Sequence, residues 1–361
     1  MPIQSLHISN FRNLAAVTLA PCDYLNIISG NNGSGKTSLL EAIHYLSFGR
    51  SFRSSTSSRL IRYTTHKFSV FSQLVIDSER QVPVGLERDL SGTTRIRIAE
   101  KDASSILELA SLLPLRIIHS QSHQLFESGP IFRRKYLDWG LFYAFDPFLP
   151  CWRQFERVLK QRNAVLRHQR PKKELDVWTN ELVKYALELD QLRREYVQML
   201  TPCIIECTHA LLSLSDFTIH YHPGWNDALD YATILSHSYP EECRFGHTQF
   251  GPHRADLEVK SGGVPVKHFL SRGQQKLLIC AMIIAQGMLL ARVANKRLIY
   301  LVDDLPSELD EQSRQKLIAL LAEQRTQVFI TAIESKTIGG GNDKCDVPMK
   351  VFHVEQGSVK S

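Results

Sequence analysis

Residues Gly30-Asn31-Asn32-Gly33-Ser34-Gly35-Lys36-Thr37 fit G-x-x-x-x-G-K-[ST] at every fixed position. The pattern has meaning only with a strand entering it and a helix leaving it. Tyr24 to Ser29 is a short apolar run that ends at glycine, and beyond Ser38 the residues Leu39, Leu40, Ile43, Leu46 and Phe48 fill an apolar helix face. In that setting glycines let backbone N–H groups wrap a phosphate, and the helix N-terminus adds partial positive charge. Nucleotide binding is expected at Gly30, Asn31, Asn32, Gly33, Ser34, Gly35, Lys36, Thr37 and Ser38, with ATP and Mg²⁺ as cofactors. Lys36 would bridge the β- and γ-phosphates and Thr37 would ligate the metal. A tight turn bearing an exposed lysine is the plain alternative, and the flanks argue against it.

Far downstream, Leu298-Ile299-Tyr300-Leu301-Val302-Asp303-Asp304 reads as a buried strand ending in two carboxylates. Beside a phosphate loop, Asp303 can hold Mg²⁺ through its water shell and Asp304 can polarise the attacking water. Two aspartates after a strand can also merely start a turn. Upstream, Leu270-Ser271-Arg272-Gly273-Gln274-Gln275 precedes a helix running to Leu290, so Ser271 is a candidate N-cap.

This stretch resembles the LSGGQ signature of ABC-type ATPases, with Arg272 in place of the first glycine, and Ser307-Glu308-Leu309-Asp310 resembles their D-loop. The resemblance implies that Ser271 and Gln274 act on nucleotide held by a second subunit, and hence an ATP-bound homodimer. It also makes Gln121, in His119-Ser120-Gln121-Ser122, a candidate Q-loop residue sensing Mg²⁺ and water, against an ordinary polar loop residue.

Between these motifs the chain changes character. Ile3 to Phe11 is strand-like, and Lys67 to Ile98 alternates apolar with polar residues as an antiparallel layer does. From about Phe132 to Leu200 the only glycine is Gly140. There Trp178, Leu182, Tyr185, Leu189, Leu192, Tyr196 and Met199 step by four and three, the rhythm of a coiled-coil seam. An earlier helix with Trp152, Phe155, Leu159 and Leu166 can face it, turning around Pro171, which makes an antiparallel hairpin. Strand patterns return at Phe217 to His222, Ala255 to Val259 and Val328 to Thr331. The fold class expected is α/β: an ABC-type head with mixed sheet and antiparallel β layer, carrying an inserted helical arm. Residues 1–120 would form the first part of the head, 121–205 the arm and 206–361 the second part.

Transporter heads set the signature much closer to the phosphate loop than the 235 positions separating Lys36 from Ser271. They also place a histidine where this chain ends a strand with Thr331. Both departures favour the DNA-repair branch. Leu6 to Asn13, Gly129-Pro130, Arg133 to Trp139, Leu159 to Ala164, Gly251 to Leu257 and Leu270 to Leu278 resemble the RecF family, especially its gammaproteobacterial members. The resemblance implies an ATP-dependent dimer in DNA replication, repair and the SOS response to DNA damage. It would act on single-stranded, gapped and duplex DNA and, with RecO and RecR, promote RecA loading.

The net charge of +6 permits a polyanionic partner, and its distribution says more. From Trp152 to Lys173 the cations Arg153, Arg157, Lys160, Arg162, Arg167, Arg170, Lys172 and Lys173 stand against Glu156 alone. A solvated helix face needs no such bias of sign, so DNA backbone contact is expected at Arg153, Arg157, Lys160, Arg162, Arg167 and Arg170, without base reading. Arg50, Arg53 and Arg59 are weaker candidates.

The longest apolar runs fall short of a membrane span, no secretory signal opens the chain, and the seven cysteines lack metal-site spacing. A cytoplasmic protein with reduced thiols is expected. Asp304 is one methylene shorter than the glutamate of many ABC-type heads, which predicts a slow, DNA-dependent ATPase acting as a switch. An ABC-type transporter subunit is the alternative reading; a small-molecule kinase would leave the signature unexplained.

Overall fold

The computed structural model describes residues 2–54, 56–76, 80–168, 171–214, 216–304, 309–334 and 347–360. In chain order the elements are β1 (Ile3–Phe11), β2 (Leu14–Leu19), β3 (Leu25–Ser29), α1 (Lys36–Phe48), β4 (Lys67–Ile76), β5 (Arg80–Asp89), β6 (Thr94–Ile98), β7 (Lys101–Asp102), α2 (Ile106–Leu112) and β8 (Leu115–Ile118). There follow α3 (Gln124–Glu127), α4 (Pro130–Ala144), α5 (Phe148–Arg167), α6 (Lys172–Leu211), β9 (Phe217–His222), α7 (Tyr231–Phe245), β10 (Asp256–Ser261), β11 (Val264–Pro265), α8 (Val266–Phe269) and α9 (Arg272–Ala294). The chain ends with β12 (Ile299–Val302), α10 (Glu311–Glu323), β13 (Val328–Ala332), β14 (Met349–Glu355) and β15 (Ser358–Lys360). By packing, these fall into one unit of residues 1–122 with 280–361 and another of 123–279.

The first unit holds two sheets. One is antiparallel, ordered β2-β1-β4-β5-β6-β7, and the other is mixed, ordered β15-β14-β3-β13-β12-β8. In the mixed sheet β14, β3, β13, β12 and β8 run parallel, and β3, β12 and β13 are buried along their whole length, as strands covered on both faces are. Helix α1 packs against both sheets, which explains why every residue from Ser38 to Ser47 is buried. Phe11, Tyr45 and Phe68 meet edge to face at its centre, with centroids 5.0–6.2 Å apart.

Glu41 breaks the apolar character of α1 and is fully buried. Arg12 neutralises it with a two-pronged contact at 2.7 and 2.9 Å, and the Ser51 hydroxyl donates to the same carboxylate. A buried carboxylate without such partners would be strongly destabilising.

The second unit is mainly helical. Helices α5 and α6 form the expected hairpin, but its seam is rotated from the sequence expectation. Leu182, Leu189 and Tyr196 are buried, whereas Trp178, Tyr185, Leu192 and Met199 are only half-buried. The line of burial instead runs Leu182, Ala186, Leu189, Arg193, Tyr196, Leu200 and Cys203. Arg193 can enter it because Asp138 accepts from Nε and Nη2 at 3.1 and 2.8 Å and the Pro252 carbonyl accepts from Nη1 at 2.7 Å.

Residues 206–279 were expected to rejoin the head. The boundary at 206 lies inside α6, and the sheet β11-β10-β9 packs with α4 and α6. Arg133 of α4 holds Asp256 at 2.6 and 3.0 Å, and Arg134 donates to the Ala255 carbonyl. These side chains tie the Arg133 to Trp139 stretch to the Gly251 to Leu257 stretch, which is why both belong to this unit.

Helix α9 is long and apolar enough, by length and composition, to cross a bilayer, although its unbroken apolar runs are short. Its most apolar window is 78% buried within the protein, as in a core helix. No disulfide joins the described cysteines, and no cluster of three or more His, Cys, Asp or Glu suited to a metal occurs among the described residues.

Two histidines, His44 buried and His253 half-buried, make the fold acid-sensitive. Burial lowers His44 from its ordinary value near 6.5 to about 3 and His253 to about 4, although backbone carbonyls of Arg50 and Thr248 partly oppose this. The unfolded chain therefore binds more protons than the folded one between those values and about 6.5. Their stabilising contribution is complete above about pH 6.5 and declines as pH falls toward 4 and then 3. We expect a lower urea midpoint at pH 5 than at pH 7, with part of the loss removed in His44→Phe.

Candidate nucleotide-binding site

Strand β3 lies between β13 and β14 and delivers the chain into the loop at Gly30. Gly30 has φ 146°, and a Cβ there would lie 2.2 Å from the Val354 carbonyl oxygen of β14, so only glycine fits. The loop carbonyls are held from outside: Asn13 Nδ2 donates to Ser34 O at 3.2 Å, and the Gly357 N–H donates to the same oxygen at 2.8 Å. Lys36 reaches back over the loop, donating to the carbonyls of Gly30 at 2.6 Å and Asn31 at 2.9 Å. Fixing the carbonyls holds the loop in the wrapped form that presents N–H groups to an anion. Ser34 Oγ is buried without a hydrogen-bond partner, a polar group of the kind a phosphate oxygen satisfies.

The adjacent strand β12 ends at the two aspartates. Thr37 Oγ1 donates to Asp303 Oδ1 at 3.1 Å, and Thr331 Oγ1 donates to the same oxygen at 2.9 Å. Thr331 also accepts from the Asp304 N–H at 2.8 Å, which holds Asp304 in the left-handed region at φ 57°. One hydroxyl thus holds the Asp303 carboxylate and the Asp304 backbone. Asp303 is raised above the usual carboxylate range by burial, against the hydrogen bonds from Thr331 and Thr37. Burial lowers Lys36, while Asp304 and Asp303 oppose it. The paired oxygens of Thr37 and Asp303 are hard donors suited to Mg²⁺.

The loop, Asp303, Asp304 and Thr331 line one cleft of about 780 Å³. Its rim includes residues the sequence reading did not assign here: Arg12, Asn13, Arg59, Ile61 and Tyr63. Arg53 also lines it, beside buried Glu41 at 3.7 Å. A glutamate inside an otherwise apolar α1 was the available signal that an arginine must approach. Ser120 lines the cleft, whereas its neighbour Gln121 does not. Gln121 is exposed in a short 3-10 turn, its backbone N–H directed at His119 Nδ1 at 3.4 Å.

Ser271 and Gln274 belong to the second unit. Gln274 N–H donates to Ser271 Oγ at 3.3 Å and Ser271 N–H donates to Gln274 Oε1 at 3.0 Å, a reciprocal capping box at the start of α9. Both are exposed. In the D-loop stretch, Ser307 and Glu308 lie outside the described residues.

Of the DNA candidates, Arg153, Arg157, Lys160 and Arg167 are exposed and share one face of α5, at spacings of four, three and seven residues. Arg170 lies outside the described residues. Arg162 is corrected: it is 1% exposed and donates to Glu242 at 2.7 Å, Thr248 at 2.7 Å and Thr179 at 3.0 Å. Its position between Leu159 and Leu166 turns it inward, and a buried carboxylate meets it there.

Residues 2–360 match the RecF/RecN/SMC N terminal domain family. The chain is 43% identical over 360 residues to a DNA replication and repair protein RecF of Shewanella loihica, covering 99% of each. It is 42% identical over 361 residues to the RecF of Pseudomonas aeruginosa, covering 99% of this chain and 97% of that one. Among solved structures, the recombination mediator protein RecF with ATP superposes with a TM-score of 0.84 at 24% identity, covering 99% of this chain and 96% of that one. An Smc head bound to the C-winged helix domain of ScpA superposes at 0.63 with 16% identity, covering 100% and 96%. These likenesses establish the ABC-type head fold.

Proposed function

This chain belongs to the RecF family of the RecF/RecN/SMC proteins, and from that premise we propose that it is an ATP-driven DNA-binding switch of replication and recombinational repair. The observation that carries the reading is the Thr37–Asp303–Thr331 linkage, which joins the phosphate loop to the Asp303 carboxylate and the Asp304 backbone in one cleft. Lys36 binds the β- and γ-phosphates in exchange for its loop carbonyls, and the loop N–H groups orient them. Thr37 and Asp303 would hold Mg²⁺, which would supply neutralisation of charge on the transferred phosphoryl group. Asp304 orients the attacking water and accepts its proton, slowly because its side chain is short.

Ser271 and Gln274, exposed at the head of α9, complete the nucleotide site of a second copy, so that ATP closes a homodimer. The α5 cations then hold the phosphate backbone of single-stranded, gapped or duplex DNA, without sequence preference. By family resemblance RecR and RecO are the partners through which RecA is loaded, and the cytoplasm is the place of action. The family match over nearly the whole chain leaves the transporter reading without support.

Binding to gapped DNA with and without ATP tests this, using wild type, Lys36→Arg and Ser271→Arg. Ser271→Arg should bind ATP, stay monomeric and lose ATP-dependent DNA retention. Dimerisation of that variant at wild-type ATP concentrations would remove the shared-site reading.

A further inference from the structure

A second cleft, of about 670 Å³, lies on the helical unit, between the exposed face of α5 and the end of α7. Arg157, Lys160, Asn163 and Arg167 line one side, and Phe245 and His247 the other; Glu156 is its one lining carboxylate. Phe245 is 52% exposed. One exposed ring is unremarkable by itself. Its setting is not: the ring stands among cations, with the Arg244 guanidinium 5.1 Å from its centroid.

The cleft is held in shape by local geometry. Gly246 ends α7 in the left-handed conformation at φ 72°, its N–H donating to the Glu242 carbonyl. A Cβ at Gly246 would lie 2.8 Å from Arg167 Cγ, so glycine lets the chain close onto Arg167 and sets Phe245 and His247 on either side. Arg167 Nε donates to the Asn163 carbonyl at 3.2 Å, which fixes its direction along α5.

An apolar ring flanked by a row of cations suits one polyanion in particular. Duplex DNA offers phosphates but keeps its base faces stacked, whereas a single strand offers both phosphates and free π-faces. An acidic peptide would use the cations and leave the ring without a function. We infer that this cleft binds single-stranded nucleic acid, with one base stacked on Phe245 and adjoining phosphates on Arg157, Lys160 and Arg167. The inference rests on the DNA-binding reading above and deepens it: it assigns strand preference to the arm.

Fluorescence anisotropy of the full chain with saturating ATP, a labelled thymidine strand and a labelled blunt duplex, across a salt series, tests it. Phe245→Ala should weaken the thymidine strand by about 5- to 150-fold and leave the duplex unchanged. Phe245→Trp should retain strand binding. Arg167→Gln should reduce the slope of log affinity against log salt for the strand by about 0.7, the loss of one phosphate contact. Melting temperatures confirm that each variant folds.

If wild type binds both DNAs and Phe245→Ala matches it on the strand, this inference is overturned while the DNA-binding reading stands. If Phe245→Ala weakens strand and duplex equally, base stacking is excluded. If polyglutamate binds and depends on Phe245 while the thymidine strand does not, the cleft takes an acidic protein segment instead. Failure of wild type to bind either DNA overturns the broader reading as well.

Discussion

Arg162→Ala lowers the stability of the protein by about 3–5 kcal/mol, the usual cost of removing one partner from a buried ion pair. The guanidinium is 1% exposed and its partner Glu242 is fully buried, so the substitution strands a carboxylate away from water. Thr248 and Thr179 lose their donor in the same step. The Arg162→Met, Glu242→Leu pair should recover much of the loss, because replacing both charges removes the desolvation cost along with the attraction. Chemical denaturation of the single and double variants measures this; a single variant within about 1 kcal/mol of wild type would show that water reaches Glu242. Charge reversal at Arg162 consequently tests folding, and charge reversal at Arg157 or Arg167 tests DNA contact.

Lys36→Ala should slow single-turnover ATP hydrolysis by roughly 10²–10³-fold, the size typical of losing one charged stabiliser of a transition state. Lys36 donates to Gly30 and Asn31 carbonyls, and Asp303 and Asp304 favour its charged form against desolvation. Removing it therefore also frees two loop carbonyls, and a melting curve separates that effect from chemistry. The effect should exceed that of Thr331→Val, which keeps both carboxylates but frees the Asp303 side chain and the Asp304 N–H. Equal rates for wild type and Lys36→Ala at saturating ATP would sink the assignment of Lys36 to the transferred phosphate.

Much of this site was legible from local spacing. The phosphate loop is read from eight consecutive residues because backbone wrapping is decided by glycine and lysine at fixed intervals. Asp303 and Asp304 are legible because a fully apolar strand ending in carboxylates is rare outside a parallel sheet edge. Thr331 was noticed only as the place where a histidine was missing. Its role as the hydroxyl that positions both aspartates depends on β12 and β13 lying side by side, and no spacing reports that pairing.

The arm shows the same division. Helical periodicity identified α5 and α6 and their hairpin, since each buries a stripe. The phase of the seam differs because Arg193 lies within it, and Arg162, expected among the DNA-contacting cations, turns inward. In both cases a carboxylate from a remote segment, Asp138 or Glu242, makes burial of an arginine tolerable. The sequence by itself determined the elements, the phosphate loop and the bias of charge on α5, all of which follow from neighbours within a few turns. The tertiary structure alone decided which arginines turn inward, which hydroxyl joins the two halves of the cleft and where Phe245 stands, because each depends on partners dozens to hundreds of residues away in the chain.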